Sequence, residues 1–186
     1  MKEANWTRIS RLLSYLLRHR PDAVGVTLDA NGWVNLDQFV AACNIHGFEL
    51  TRKWILEVVR TDDKQRFALS EDGQSIRANQ GHSVEVDLAY EEREPPEVLF
   101  HGTASYLVEV IMAEGLKKIT RHHVHLSADP EMAERVGRRR GIPVVLRVLA
   151  AQMAADGCKF YLSANNVWLT DYVAPNYLVI PTHDLC

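Results

Sequence analysis

Apolar residues recur at three- and four-residue spacing over Trp6, Ile9, Leu12, Leu13, Leu16 and Leu17. That spacing puts them on one face of an opening helix. Pro21 sits just beyond, where a helix commonly stops. In VGVTLDANGWVNL, Asn31-Gly32 stands between apolar stretches and predicts a short hairpin. A second helix is expected over about 36–43, started near Asn35 or Asp37. Thr51 is the expected N-cap of a third, carrying Trp54, Ile55, Val58 and Val59. Residues 66–69, the turn Glu71-Asp72-Gly73 and residues 75–78 predict a two-stranded wing. Three helices followed by a hairpin is the order of a winged helix.

The pattern then breaks. Residues 85–94, EVDLAYEERE, are followed by Pro95-Pro96, which marks a boundary. A second lobe opens on the apolar Val98-Leu99-Phe100, running into His101-Gly102-Thr103. A helix over about 105–114 closes at Gly115. Residues 122–127 read as a strand, Asp129 caps a helix ending near Arg140-Gly141, and 143–149 form an apolar strand interrupted by Arg147. Short strands are expected at 159–162, 167–169 and 177–180. Many short strands with two or three helices predict an α+β fold with a split β-sheet. The expected organisation is therefore 1–84 as a winged-helix-like lobe, 85–96 as an acidic linker and 97–186 as a second lobe.

Composition narrows the function classes. The chain has 186 residues, 21 Lys+Arg against 24 Asp+Glu, and a net charge of −3. Such a balance excludes a protein that grips nucleic acid through bulk positive charge. The deficit is local: 85–94 holds five acids and one Arg, whereas 1–84 holds 11 basic and 10 acidic residues and 95–186 holds nine of each. Cys43, Cys158 and Cys186 show no CxxC spacing, which predicts reduced thiols and a cytoplasmic protein. No apolar run approaches the roughly 18 residues of a bilayer span. MKEANWTRIS contains no signal-peptide apolar segment. No surface pattern argues for an obligate dimer, so a monomer is expected.

Three groups carry chemistry. Arg18-His19-Arg20 ends the first helix, either complementing its dipole or presenting cations to an anion. Residues 76–83, IRANQGHS, are either a polar turn after a hairpin or a loop of amide, imidazole and hydroxyl groups suited to an anion. The third group joins His101-Gly102-Thr103 to Arg121-His122-His123-Val124-His125-Leu126-Ser127. Strand alternation puts His123 and His125 on one face and His122 on the other. A zinc site from His101, His123 and His125 lacks a completing Cys, so no metal is expected. The basic run at 137–141, GRRRG, reads as a solvated helix end or a phosphate holder.

Taken in order, Leu17-Arg18-His19, Arg66, RANQGHS at 77–83, FHGT at 100–103, RHHVHLS at 121–127 and NVWLT at 166–170 resemble the RNA 2′-phosphotransferase family, the KptA-type tRNA 2′-phosphotransferases. The resemblance runs from about residue 6 to 181. It implies a winged-helix-like lobe and an ADP-ribosyltransferase-like NAD-binding lobe, with the site in the cleft between them. It implies an RNA substrate bearing a 2′-phosphate, NAD⁺ as co-substrate, and a place in RNA processing such as tRNA splicing. The implied products are 2′-OH RNA, nicotinamide and ADP-ribose 1″,2″-cyclic phosphate. Two steps account for them: the 2′-phosphate attacks ribose C1″, giving an ADP-ribosylated 2′-phosphate RNA, and the ribose 2″-OH then expels the RNA 2′-oxygen.

The family's basic tetrad maps to Arg18, His19, Arg66 and Arg121, the expected catalytic residues. The first three, with Gln80, His82 and Ser83, are the expected RNA-substrate contacts. His101, Gly102, Thr103, His125, Ser127, Gly137 and Arg139 are the expected NAD contacts. A phosphomonoester carries −1.5 to −2 charges at neutral pH, and arginine forks bind such oxygens bidentately. His19 either moves a proton or coordinates phosphate. Many ADP-ribosyltransferases that modify proteins carry a catalytic Glu near the third core strand; here NNVWL at 165–169 has no carboxylate. An ionised phosphate needs none. Two other readings remain: an enzyme that ADP-ribosylates a nucleic-acid phosphate end and stops, and a winged-helix regulator with a ligand-sensing lobe.

Overall fold

The computed structural model describes residues 5–180; Cys186 lies outside the described residues. The chain forms two compact units that divide after Ala89. Both mix helices with small antiparallel sheets, an α+β fold.

In the first unit α1 (Trp6–Arg18) is capped by Asn5, whose side chain accepts from Arg8 N at 3.0 Å. Its apolar face buries Ile9, Leu13, Leu16 and Leu17, whereas Trp6 stays exposed. A 3₁₀ turn over Pro21–Val24 follows. Strand β1 (Val34–Asn35) leads directly into α2 (Leu36–Ile45), because the Asn35 side chain accepts from both Asp37 N and Gln38 N. Thr51 caps α3 (Arg52–Thr61) by accepting from Trp54 N. Strands β2 (Phe67–Leu69) and β3 (Ser75–Ala78) form the expected hairpin, and β1 adds to β3, giving the order β1-β3-β2.

The hairpin expected around Asn31-Gly32 is not formed. A turn does occur there, with Asp29 Oδ1 accepting from Asn31 N and Trp33 N. The strand after it pairs with β3 instead, Val34 opposite Ile76. The three helices and the sheet close over Leu13, Leu16, Leu17, Leu36, Phe39, Ile55 and Ile76. Cys43 belongs to this core, and burial pushes its thiol pKa up to about 11, so it is an inert packing residue.

The second unit holds β4 (Leu99–Ala104), α4 (Val108–Glu114), β5 (Leu116–Lys117), β6 (Val124–Leu126), α5 (Pro130–Gly137), β7 (Pro143–Val148), α6 (Ala150–Ala155), β8 (Tyr161–Leu162), β9 (Trp168–Thr170), β10 (Tyr172–Val173) and β11 (Leu178–Val179). Two three-stranded sheets carry most of it, ordered β11-β7-β4 and β6-β9-β8, with β10-β5 a separate pair. Reciprocal bonds between Phe100 and Ser127, at 2.8 and 2.9 Å, tie β4 to the end of β6. Leu99, Val148, Met153, Phe160 and Val173 pack as the core. The expected strand over 122–127 is shorter because Arg121, His122 and His123 still belong to the preceding turn. Residues 150–155, expected to carry no element, form α6.

Helix α5 lies directly on β4. A Cβ on Gly102 would fall 1.6 Å from Ala133 O, and one on Gly137 would fall 2.6 Å from Thr103 O. Both glycines let helix and strand backbones touch. The acidic stretch is not a free tether. Asp87 N donates to Ala30 O and Leu88 is buried in the first unit; Arg93 N donates to Phe160 O and Lys159 pairs with Glu92 in the second. Among the described residues no helix is long and apolar enough to cross a membrane.

Candidate active site

In the first unit, the end of α1 meets the loop that follows β3. His19 Nδ1 lies 2.9 Å from Ser83 Oγ, across 64 residues of sequence. Ser83 N donates to Arg18 O at 2.9 Å, so backbone and side chain both pin the loop to the helix end. Arg18 is an arginine only 8% exposed. Its Nη2 reaches Arg66 O at 3.5 Å, and its guanidinium lies beside Gly81, whose φ of +86° favours glycine. A burial of this kind costs too much for mere dipole complementation at a helix end and points to a fixed cation.

Arg66 stands one residue before β2, not within it. It is held by Asp62, which pairs with the Arg66 guanidinium and accepts from Arg66 N at 2.8 Å. The Asp62 side chain is 7% exposed and that of Arg66 27%. Asp62 was not picked out in the sequence, although its i,i+4 spacing to Arg66 was a readable signal. Gln80 Oε1 is buried without a hydrogen-bond partner among the described residues. His82 is almost wholly buried and lies against the Gly32 turn, so it supports the loop from behind. Arg18, His19, Arg66, Gly81 and Ser83 are thus assembled at one place in this unit.

In the second unit, His101 on β4 lies with Nδ1 3.1 Å from His125 O on β6. A carbonyl oxygen only accepts, so Nδ1 carries the hydrogen and Nε2 of the neutral ring is an acceptor. Burial holds the His101 pKa below its ordinary value; the bond to His125 O partly offsets this, and the nearby Arg140 charge adds to the lowering. Arg121 precedes β6. Crowding by neighbouring protein and the Arg140 charge lower its pKa, although its surface is still exposed and it stays protonated. Arg121 and Arg140 make no ion pair with a carboxylate among the described residues, whereas Arg138 pairs with Glu134 and Arg135 with Asp129. Two guanidiniums without a carboxylate partner among the described residues, near His101, are an arrangement that can hold an anion.

Within the basic run, Arg140 is the member whose charge reaches His101 and Arg121. Thr103 is buried at 4% exposure within the β4–β7 ladder. Ser127 Oγ accepts from Asp129 N at 3.0 Å, setting the turn into α5. The small size of Gly102 and Gly137 is explained by helix-on-strand contact, without any ligand. His123 sits edge-on between Tyr90 and Tyr161, with ring centroids 5.9 and 5.6 Å away. Among the described residues no three His, Cys, Asp or Glu side chains are grouped to hold a metal.

The chain matches a model of the RNA 2'-phosphotransferase, Tpt1 / KptA family, over residues 4–172. It is 50% identical over 181 residues to a probable RNA 2'-phosphotransferase of Streptomyces coelicolor, covering 97% of this chain and 98% of that one. It is 52% identical over 174 residues to one of Agrobacterium fabrum (94% of each chain) and 50% identical over 170 residues to one of Flavobacterium johnsoniae (91% and 93%). The residues assembled at the end of α1 and beside His101 thus sit in a transferase, and the chain belongs to the RNA 2′-phosphotransferase, Tpt1/KptA, family.

Proposed function

We propose that this protein removes an internal 2′-phosphate from RNA by transfer to NAD⁺, leaving a 2′-OH and releasing nicotinamide and ADP-ribose 1″,2″-cyclic phosphate. In this reading the first unit is a winged-helix-like RNA-binding lobe and the second an ADP-ribosyltransferase-like NAD-binding lobe. The observation that carries it is the meeting of Arg18, His19, Arg66 and Ser83 from three distant stretches of sequence. Two fixed guanidiniums and an imidazole suit a dianionic phosphomonoester, because charge-assisted bonds to phosphate are the strong ones.

In the second unit, His101 and Arg140 are chemically suited to NAD⁺. His101 Nε2 can accept from a ribose hydroxyl, since Nδ1 is committed to His125 O. Arg140 suits the pyrophosphate, and Arg121, the remaining member of the family's basic tetrad, suits a phosphate oxygen. When bound, NAD⁺ supplies an electrophilic ribose carbon and a neutral leaving group. The chain's own residues do the rest. Arg18 and Arg66 neutralise and orient the 2′-phosphate, which is already ionised and needs no base to act as nucleophile. As the RNA 2′-oxygen leaves, the arginines hold the charge that shifts between oxygens. His19, with Nδ1 fixed by Ser83, presents Nε2 to the phosphate, where it coordinates oxygen or passes a proton.

The deciding experiment is incubation of an RNA bearing one internal 2′-phosphate with and without NAD⁺. The expected outcome is phosphate loss only with NAD⁺, one nicotinamide released per phosphate. NAD⁺-independent loss, or none, overturns the reading. A stably ADP-ribosylated RNA would instead identify an enzyme that stops after the first step.

A further inference from the structure

We infer that Trp33 and Arg77 form a nucleobase-stacking subsite for a nucleotide flanking the 2′-phosphate; this rests on the RNA-substrate reading above.

Arg77 Cζ lies 4.5 Å from the centre of the Trp33 ring. The pair is built by the sheet. Val34 faces Ile76, which sets Trp33 opposite Arg77, and Ala68 of β2 faces Arg77 from the other side. Trp33, Arg77 and Ala68 are thus one cross-strand row, and all three are partly exposed. Ile76 and Ala78 turn inward to the core. By strand alternation Arg66 shares the face of Ala68, two residues along, a rise of about 7 Å. The bond from Asn79 N to Arg66 O at 2.9 Å continues the ladder to that point. The same sheet face therefore carries a phosphate-binding arginine at one end and a stacked Arg–Trp pair one row away.

The pair is not explained by local pairing alone. Arg77 makes one long bond, Nη1 to Asn31 O at 3.4 Å, and its Nε is buried without a partner among the described residues. No carboxylate pairs with Arg77 among the described residues. A planar cation held over an aromatic ring, uncompensated, complements a polyanion carrying flat bases. Unpaired bases stack on such aromatic and guanidinium planes. The row holds no amide or carboxylate side chain to read a base edge, so the subsite favours stacking over sequence. The occupant is an unpaired nucleotide next to the 2′-phosphorylated one.

The test is equilibrium binding of a labelled, 2′-phosphorylated RNA without NAD⁺, compared with the same RNA made abasic at the 5′ or the 3′ neighbour. The wild-type protein is expected to lose about tenfold in affinity for one of the abasic RNAs, a stacking-sized effect. In Trp33→Leu, and in Arg77→Met should the first variant fold poorly, that difference is expected to vanish. An abasic effect that persists in these variants, or none at either neighbour in the wild type, overturns the inference. Because no turnover is involved, failure of phosphate transfer to NAD⁺ is a separate result.

Discussion

His101 donates its Nδ1 hydrogen to His125 O at 3.1 Å, a bond that joins β4 to β6 and decides which imidazole nitrogen is left open. Burial, then the Arg140 charge, hold its pKa below the ordinary value of 6.5. The folded state therefore resists a proton that the unfolded chain accepts. Between the ordinary value and the lowered one, the unfolded state binds more protons, so stability is full above the ordinary value and falls as pH drops through this window. His123, also lowered by burial, adds to the same slope. In His101→Asn the amide can replace Nδ1 as donor but cannot titrate. The thermal midpoint of wild type is expected to fall more steeply than that of the variant between pH 7 and pH 5. Parallel slopes would show that His101 is not resisting protonation.

Gly102 is expected to be intolerant for structural reasons. An added Cβ would overlap backbone, Ala133 O at 1.6 Å, and backbone cannot rotate away. Gly102→Ala should cost about 3 kcal/mol or more, at or beyond the upper end for overpacking. Gly47 has φ +82° and nothing near its missing Cβ, so Gly47→Ala should cost only about 1 kcal/mol. Denaturant unfolding of the two variants checks the ranking. A Gly102→Ala protein of normal stability that lacks activity would point to a ligand contact at Gly102 instead.

These cases show what was readable from sequence. Helix α1 was, because six apolar positions share one period, and so was the β2–β3 hairpin, because its turn is short. Strand β1 was not. Asn31-Gly32 signals a turn, but nothing local says that Val34 pairs with Ile76 rather than folding back on residues 24–28. The meeting of Arg18, His19, Arg66 and Ser83 was legible through the order of their motifs. The supports were not: the Asp62 side chain is buried only by the tertiary fold, and nothing local in the run 138–140 says that Arg140 is the member whose charge reaches His101 and Arg121. The close approach of α5 to Gly102 was not legible, because sequence cannot distinguish close approach of a helix from close approach of a cofactor.

Asp62 should act as the positioning partner of Arg66. Its carboxylate accepts from Arg66 N and Lys64 N and pairs with the Arg66 guanidinium. Asp62→Ala is expected to lose about 1–3 kcal/mol of stability by leaving buried donors unsatisfied, and about tenfold or more in kcat. Asp62→Asn keeps an oxygen for the backbone donors, so stability should return while kcat stays low. Recovery of both would mean that Asp62 only holds the turn between α3 and β2.

Arg121, by contrast, is exposed and pairs with no carboxylate among the described residues, so its removal should spare the fold. Arg121→Ala is expected to lower kcat by about 10²–10³, as for loss of one donor to a developing charge, with an unchanged thermal midpoint. Lysine should rescue little, because a point charge does not replace the planar fork. Near-normal turnover in Arg121→Ala would remove it from the tetrad.

Arg139 and Arg140 give the sharpest contrast, since they are adjacent, equally charged and both exposed. Only Arg140 is close enough to lower the pKa of both His101 and Arg121. If that closeness reflects a shared anion, Arg140→Gln should raise KM for NAD⁺ by about tenfold, the size of one lost charge-assisted bond, and Arg139→Gln should change it little. The same substitution removes a repulsive charge from His101, so its imidazole pKa, followed by NMR, should rise in Arg140→Gln and not in Arg139→Gln. Equal effects of the two variants on KM would mean that the run acts as a diffuse basic surface, whereas an effect confined to Arg140 requires a site built around one side chain.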